Sequence, residues 1–115
     1  PNGYIVLSAP LIWPEHETPY DFFRYTSYGI RNIFKSSGFK IIKIEKTLSD
    51  IRMPTQIFIA FIYDILNLND RHIFIRSLIC FFIFSPLSLF STLLSKFTPK
   101  NEKNFLDFMI VGQKL

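Results

Sequence analysis

The chain has 115 residues, enough for one domain at most. Apolar residues make up 49% of it, with 14 phenylalanines, which excludes a disordered chain and supplies the material of a core. The formal charge of +4 is spread from Arg24 through Lys35, Lys40, Lys43 and Lys46 to Lys100 and Lys103. No basic stripe with stacking groups forms, so no nucleic-acid partner is expected.

The single cysteine, Cys80, lies in an apolar run and reads as a small hydrophobe in a chain suited to a reducing compartment. His16 and His72 are too far apart for a metal-ligand spacing, so neither a metal nor a signal peptide is expected. The first residues, Pro1-Asn2-Gly3, form a turn of the kind that follows another element, which suggests a piece of a larger domain.

Tyr4 to Ile12 is a short continuous apolar run, the pattern of a strand buried on both faces, with Pro10 at or beyond its end. A loop follows, stiffened by Pro10, Pro14 and Pro19 and rich in aromatic and charged residues, as binding loops are. It concentrates Glu15, His16, Glu17, Tyr20, Asp21, Arg24 and Tyr25 just past a strand end, where α/β proteins place ligands. His16, between Glu15 and Glu17, is a candidate general base, or a loop histidine bonded to backbone. Asp21 and Arg24, three apart, suit either a ligand pocket or an ion pair that holds the loop.

Thr26 or Ser27 should cap a helix from about Tyr28 to Ser37, with Ile30, Ile33 and Phe34 on its inner face and Gly38 ending it. Phe39 to Lys46 reads as a second strand nearer an edge, and the order strand, helix, strand makes the two strands parallel. Residues 47–55 read as a loop, and Gln56 to Leu68 as a helix broken by Asn67–Arg71. Ser77–Ser95 carries no charged residue, a run of about 20 residues that meets the length rule for a membrane span. Ser85-Pro86 in its middle resembles a helix start, which would divide it into two helices of roughly 18 Å each, too short to cross. A buried helical pair, a homodimer surface, a membrane-surface segment and a span all remain open for it. Phe105 to Lys114 reads as a final strand.

The stretch from Pro1 to Phe39 resembles the carboxyl-terminal half of class I S-adenosylmethionine-dependent methyltransferases, closest to the group called methyltransferase type 11. The resemblance rests on the Pro1-Asn2-Gly3 turn, the loop Trp13-Pro-Glu-His-Glu-Thr-Pro-Tyr-Asp-Phe-Phe-Arg-Tyr-Thr26, Gly29-Ile30-Arg31 and Ser37-Gly38-Phe39. It implies an α/β fold, a partial Rossmann-like sheet ordered third, second, first, fourth, fifth, seventh, sixth, with the seventh strand antiparallel. Tyr4–Ala9 would be the fifth strand, Phe39–Lys46 the sixth, and Phe105–Lys114 the seventh, slotted between them. Residues 50–100 would be an apolar helical insertion within the carboxyl-terminal part of one methyltransferase domain.

The implied function is methyl transfer from S-adenosylmethionine to a small-molecule or lipid-linked acceptor. His16 and Tyr20 would be catalytic; Trp13, Glu15, Glu17, Asp21, Arg24 and Tyr25 would bind the acceptor, and of Phe22 and Phe23 one would be a buried anchor and one a pocket wall. The family's glycine-rich turn and acidic strand end are absent, so residues 1–115 alone should not hold the donor well. The alternative is a non-catalytic module for membrane association or protein interaction. Either way a cytoplasmic location is expected, peripheral at the inner face of the membrane if the apolar segment meets lipid.

Overall fold

The computed structural model describes residues 2–66 and 73–115. The break at Asn67–Arg71, together with Pro1 and His72, lies outside the described residues. The chain divides into two compact units, Pro1–Leu48 with Phe105–Leu115, and Ser49–Asn104.

The first unit is a three-stranded sheet with one helix. Its strands are β1 (Tyr4–Pro10), β2 (Phe39–Thr47) and β3 (Asp107–Lys114), and its helix is α1 (Ser27–Ser36). The order is β1-β3-β2, and β3 runs antiparallel to both neighbours. β1 and β2 therefore point the same way but never touch, as a helical crossover requires of strands separated by one position. The chain leaves the sheet after Thr47 and re-enters at Leu106, whose N–H donates to the Thr47 carbonyl at 3.2 Å.

Alternation along β3 decides which face is inside. Phe108, Ile110 and Gly112 are buried, whereas Met109 is exposed. The register sets Ala9, Leu7 and Ile5 of β1 opposite those three, and Ile44 and Ile41 of β2 opposite Ile110 and Gly112. Ile30 and Phe34 of α1, four apart and so on one helical face, complete the core with Phe105, Phe108 and Ile110. Each such burial stabilises by about 1.5–3 kcal/mol. Gly112 is glycine for space: a Cβ there would stand 2.5 Å from Cε1 of Phe34.

α1 is bounded as its sequence dictates. Thr26 Oγ1 accepts the Gly29 N–H at 3.0 Å, and Gly38 follows the helix with φ +71°. Ile33, however, is exposed, because the inner stripe is only as wide as the single helix-on-sheet contact. β1 also departs from expectation. Tyr4 and Val6 are exposed, so the strand is not buried on both faces. It lies at the edge of the sheet, and α1 covers only the face that carries Leu7 and Ala9. β2 is the other edge; a bulge between Ile41 and Lys43 throws Ile42 outward and accounts for its imperfect alternation.

The second unit is helical. α2 spans Arg52–Ile65, α3 spans Ile73–Ile79, a π-helical turn covers Cys80–Phe84, and α4 spans Ser85–Leu94. α2 begins earlier than the reading of 47–55 as a loop allowed. Pro54 falls in its first turn, where the missing N–H costs nothing, and Asp50 Oδ1 accepts the Arg52 N–H at 3.1 Å. The Asn101 N–H donates to the Ser49 carbonyl at 2.6 Å and closes the two ends of the unit on each other.

Ser85-Pro86 does not divide the apolar stretch. Ile73–Leu94 is helical throughout, 22 residues. Proline has no N–H to give and its ring crowds the carbonyl four residues back. The helix widens just before it: the Ser85 N–H and its Oγ, the latter at 2.8 Å, both turn to the Cys80 carbonyl five residues back. At about 1.5 Å per residue the whole is roughly 33 Å long, not two pieces of 18 Å.

Candidate functional site in the proline-rich loop

The loop between β1 and α1 is held from within. Asp21 is its hub. Arg24 Nη1 donates to Asp21 Oδ1, and Nη2 to Oδ2 at 2.6 Å, a bidentate pair. The His16 N–H donates to Oδ2 at 3.0 Å. The same guanidinium reaches the carbonyls of Trp13 at 3.4 Å, Pro14 at 3.3 Å and Phe23 at 3.3 Å. One arginine thus ties the entering and leaving arms of the loop. These bonds act on the ionisation of both partners. The Arg24 guanidinium, then the His16 N–H, hold the Asp21 carboxyl well below the usual carboxylate range. Asp21 in turn raises Arg24 above the ordinary arginine value. Asp21 and Arg24 spend their hydrogen bonding on the loop, which is the work of an ion pair that fixes a conformation.

That conformation orients His16. Its Nδ1 lies 3.2 Å from the Pro14 carbonyl and 3.3 Å from Asp21 Oδ2. Both neighbours are acceptors, so Nδ1 is the donor, and in the neutral ring it is Nε2 that carries the lone pair. The side chain is 49% exposed, against 11% for Asp21. An imidazole with a fixed tautomer and an open Nε2 can take a proton from a ligand O–H or N–H.

Around this clamp the aromatic residues form a row. Tyr20 and Phe22 meet edge to face at 6.3 Å, Phe22 and Phe23 at 6.4 Å, and Phe23 stacks on Tyr25 at 5.8 Å. Phe22 and Phe23 are both exposed, so neither is a buried anchor. That part falls to Tyr25, which packs against the core of the sheet unit. Trp13 and Tyr20 are exposed, as are Glu15 and Glu17. Glu17 has φ +54° and accepts the Tyr20 N–H at 2.9 Å, which turns Tyr20 outward. His16, Asp21, Arg24 and Trp13 are thus joined through the clamp, and Tyr20 and Tyr25 through the aromatic row.

Gly112 is occupied by Phe34, Gly38 ends a helix, Gly29 adjoins Thr26 Oγ1, and nothing lies within 4 Å of the Gly3 position. Among the described residues no cluster could hold a metal ion.

A second concave feature was not foreseen. A cleft of about 390 Å³ opens within the helical unit, lined among others by Asp50, Met53, Thr98, Asn101 and Asn104. Asp50 is bound there by Arg52 through Nε at 2.8 Å and Nη2 at 2.6 Å, and that guanidinium lowers its pKa. The signal available was Ser49-Asp50 ahead of an apolar run, a helix-start pattern. No protein-family model, curated protein or solved structure matches the chain.

Proposed function

We propose that the sheet unit is the acceptor side of an S-adenosylmethionine-dependent methyltransferase. The principal support is the sheet. Two parallel strands separated by an antiparallel third, in the order β1-β3-β2, is the arrangement that the resemblance assigns to a fifth, seventh and sixth strand. The loop supports it in a second way. Such a transfer needs a positioned acceptor more than covalent help, and a rigid loop with an exposed aromatic row and an oriented imidazole supplies positioning. In this reading His16 Nε2 removes the acceptor proton, Tyr20 and Trp13 border the acceptor, and Glu15, Glu17 and Tyr25 shape its surroundings. Asp21 and Arg24 keep His16 in register. In this reading the donor is held by residues other than these, since the glycine-rich turn that the resemblance implies is not among them.

The test uses the product of the complete coding sequence and tritiated S-adenosylmethionine, with a small-molecule and lipid extract as acceptor pool. His16→Ala and Tyr20→Phe should each lower methyl incorporation, His16→Ala by about 10²-fold or more, while equilibrium dialysis shows donor binding unchanged. Unchanged incorporation in both variants removes the site assignment. A product that binds no donor removes the methyltransferase reading.

A further inference from the structure

The helical unit has almost nothing inside. Among its described residues Phe84 is the one large apolar side chain that is buried. Phe74, Leu78, Phe81, Phe82, Ile83, Leu89, Phe90 and Leu93 of the helix Ile73–Leu94 are all exposed, and only 6% of its most apolar window is buried. α2 adds a second exposed stripe at helical spacing, Phe58, Phe61 and Ile65. A helix that is apolar on most sides and covered by protein only along the narrow face of Phe84 and Ser91 is best served by an apolar surrounding.

Two features point to what that surrounding is, and two more show that the helix tolerates it. First, the uncharged part of the helix, residues 77–94, is roughly 27 Å long, close to a hydrocarbon core of about 30 Å. Second, the charge-free run ends abruptly at both sides, at Arg76 and at Lys96, and Lys100 and Lys103 follow with Glu102 alone against them. Third, the hydroxyls inside the helix turn back onto its own carbonyls. Ser77 Oγ donates to Ile73 O at 2.8 Å, Ser85 Oγ to Cys80 O at 2.8 Å, Ser91 Oγ to Ser88 O at 2.9 Å, and Thr92 Oγ1 to Ser88 O at 2.8 Å. The same back-bonding occurs in α1, where Ser36 Oγ donates to Ile33 O at 3.0 Å, so it does not itself select lipid but leaves these hydroxyls satisfied where hydrocarbon offers no other acceptor. Fourth, the helix passes Pro86 unbroken through a π-helical turn whose Cys80 carbonyl accepts both the Ser85 N–H and its Oγ, so the run keeps its full length. Gln56 of α2 meets Ser88 of α4 at 3.5 Å, so that polar pair is shared between helices.

We infer that the helix Ile73–Leu94 inserts into a lipid bilayer, with Lys96, Lys100 and Lys103 among anionic headgroups. The inference is independent of the methyltransferase reading. Cys80, the only cysteine in the chain, lies about one-third of the way along the inserted helix and serves as a depth probe.

The 115-residue chain is labelled at Cys80 with an environment-sensitive fluorophore and mixed with vesicles of phosphatidylcholine and phosphatidylglycerol at a 3:1 ratio. Emission should rise and be quenched more strongly by a nitroxide deep on the acyl chain than by a shallow one. The unlabelled chain should float with the vesicles and remain bound in 1 M NaCl. Phe82→Asp with Phe90→Asp should lower the bound fraction at least tenfold, with Trp13 emission unchanged as the control that the sheet unit is intact. Replacing Lys96, Lys100 and Lys103 by Gln should weaken binding to the anionic vesicles by about fivefold per residue, and much less to pure phosphatidylcholine. Three results overturn the inference: release by salt, no depth-dependent quenching, or a stable soluble oligomer that excludes vesicles and that the two Asp substitutions dissociate. The last would make the face a contact between copies of the chain.

Discussion

The two units draw on the same residue types and dispose of them in opposite ways. In the sheet unit Phe34, Phe105 and Phe108 are buried, and charged residues such as Lys40 and Lys43 stand outside. In the helical unit Phe58, Phe61, Phe81, Phe82 and Phe90 stand outside, and a carboxylate, Asp50, is buried and paired with arginine. The difference lies in pattern. β3 alternates and α1 repeats at four residues, so each has an inside before it meets a partner. Ile73–Leu94 has apolar residues on every side and buries only Phe84 and Ser91. Apolar content alone does not tell which side chains are buried; periodicity does.

The contrast is most easily broken at its phenylalanines. Phe108→Ala should destabilise the sheet unit by about 3–5 kcal/mol, through lost transfer energy and a residual cavity. Urea unfolding followed by Trp13 fluorescence measures it. Phe82→Ala, on the exposed helix, should change unfolding in vesicle-free buffer by about 0.5 kcal/mol or less. Equal losses would mean that the helical unit has an aqueous core after all. Gly112→Ala should follow at about 1–3 kcal/mol, because its Cβ would stand 2.5 Å from the Phe34 ring. A companion Phe34→Leu should recover part of that loss, since it removes the ring edge that clashes.

Much of the sheet unit was legible because its signals are local and agree with one another. The Thr26 cap, Gly38, the apolar pairs of α1 and the stop at Pro10 each name a boundary that the fold respects. Other things were not legible. The burial of β1 depends on what lies beside and above it, and an apolar run reads the same whether or not its faces are covered. The effect of Pro86 depends on whether the preceding turn can widen, which no propensity encodes. In the loop, Asp21 and Arg24 were readable as a pair from their spacing. The role of Tyr25 as anchor, in place of Phe22 or Phe23, was not, because all three are aromatic and only the path of the chain distinguishes them. The start of α2 was not read: Pro54 put it at Gln56, whereas the Asp50 carboxylate already accepts the Arg52 N–H.

The smaller effects concern the two carboxylates, one in each unit. Asp50→Ala should cost about 1 kcal/mol, the usual loss when a side chain no longer accepts a first-turn N–H, and should shorten α2 by circular dichroism. Asp21 should govern a pH response. Its folded pKa lies below the ordinary value, so the unfolded chain takes up the proton first as pH falls. The stabilisation is complete above pH ~4 and is lost progressively below it. Lowering the pH should therefore release Arg24 from Asp21, then the Trp13 and Pro14 carbonyls from Arg24, and shift Trp13 emission toward that of a solvated indole. Asp21→Asn keeps the shape and removes the charge. It should give the released emission already at neutral pH and a nearly flat profile below pH ~4. An unaltered acid transition in Asp21→Asn would assign the response to Asp50 or another carboxylate, and would leave the loop held by its prolines and aromatic row without need of the clamp.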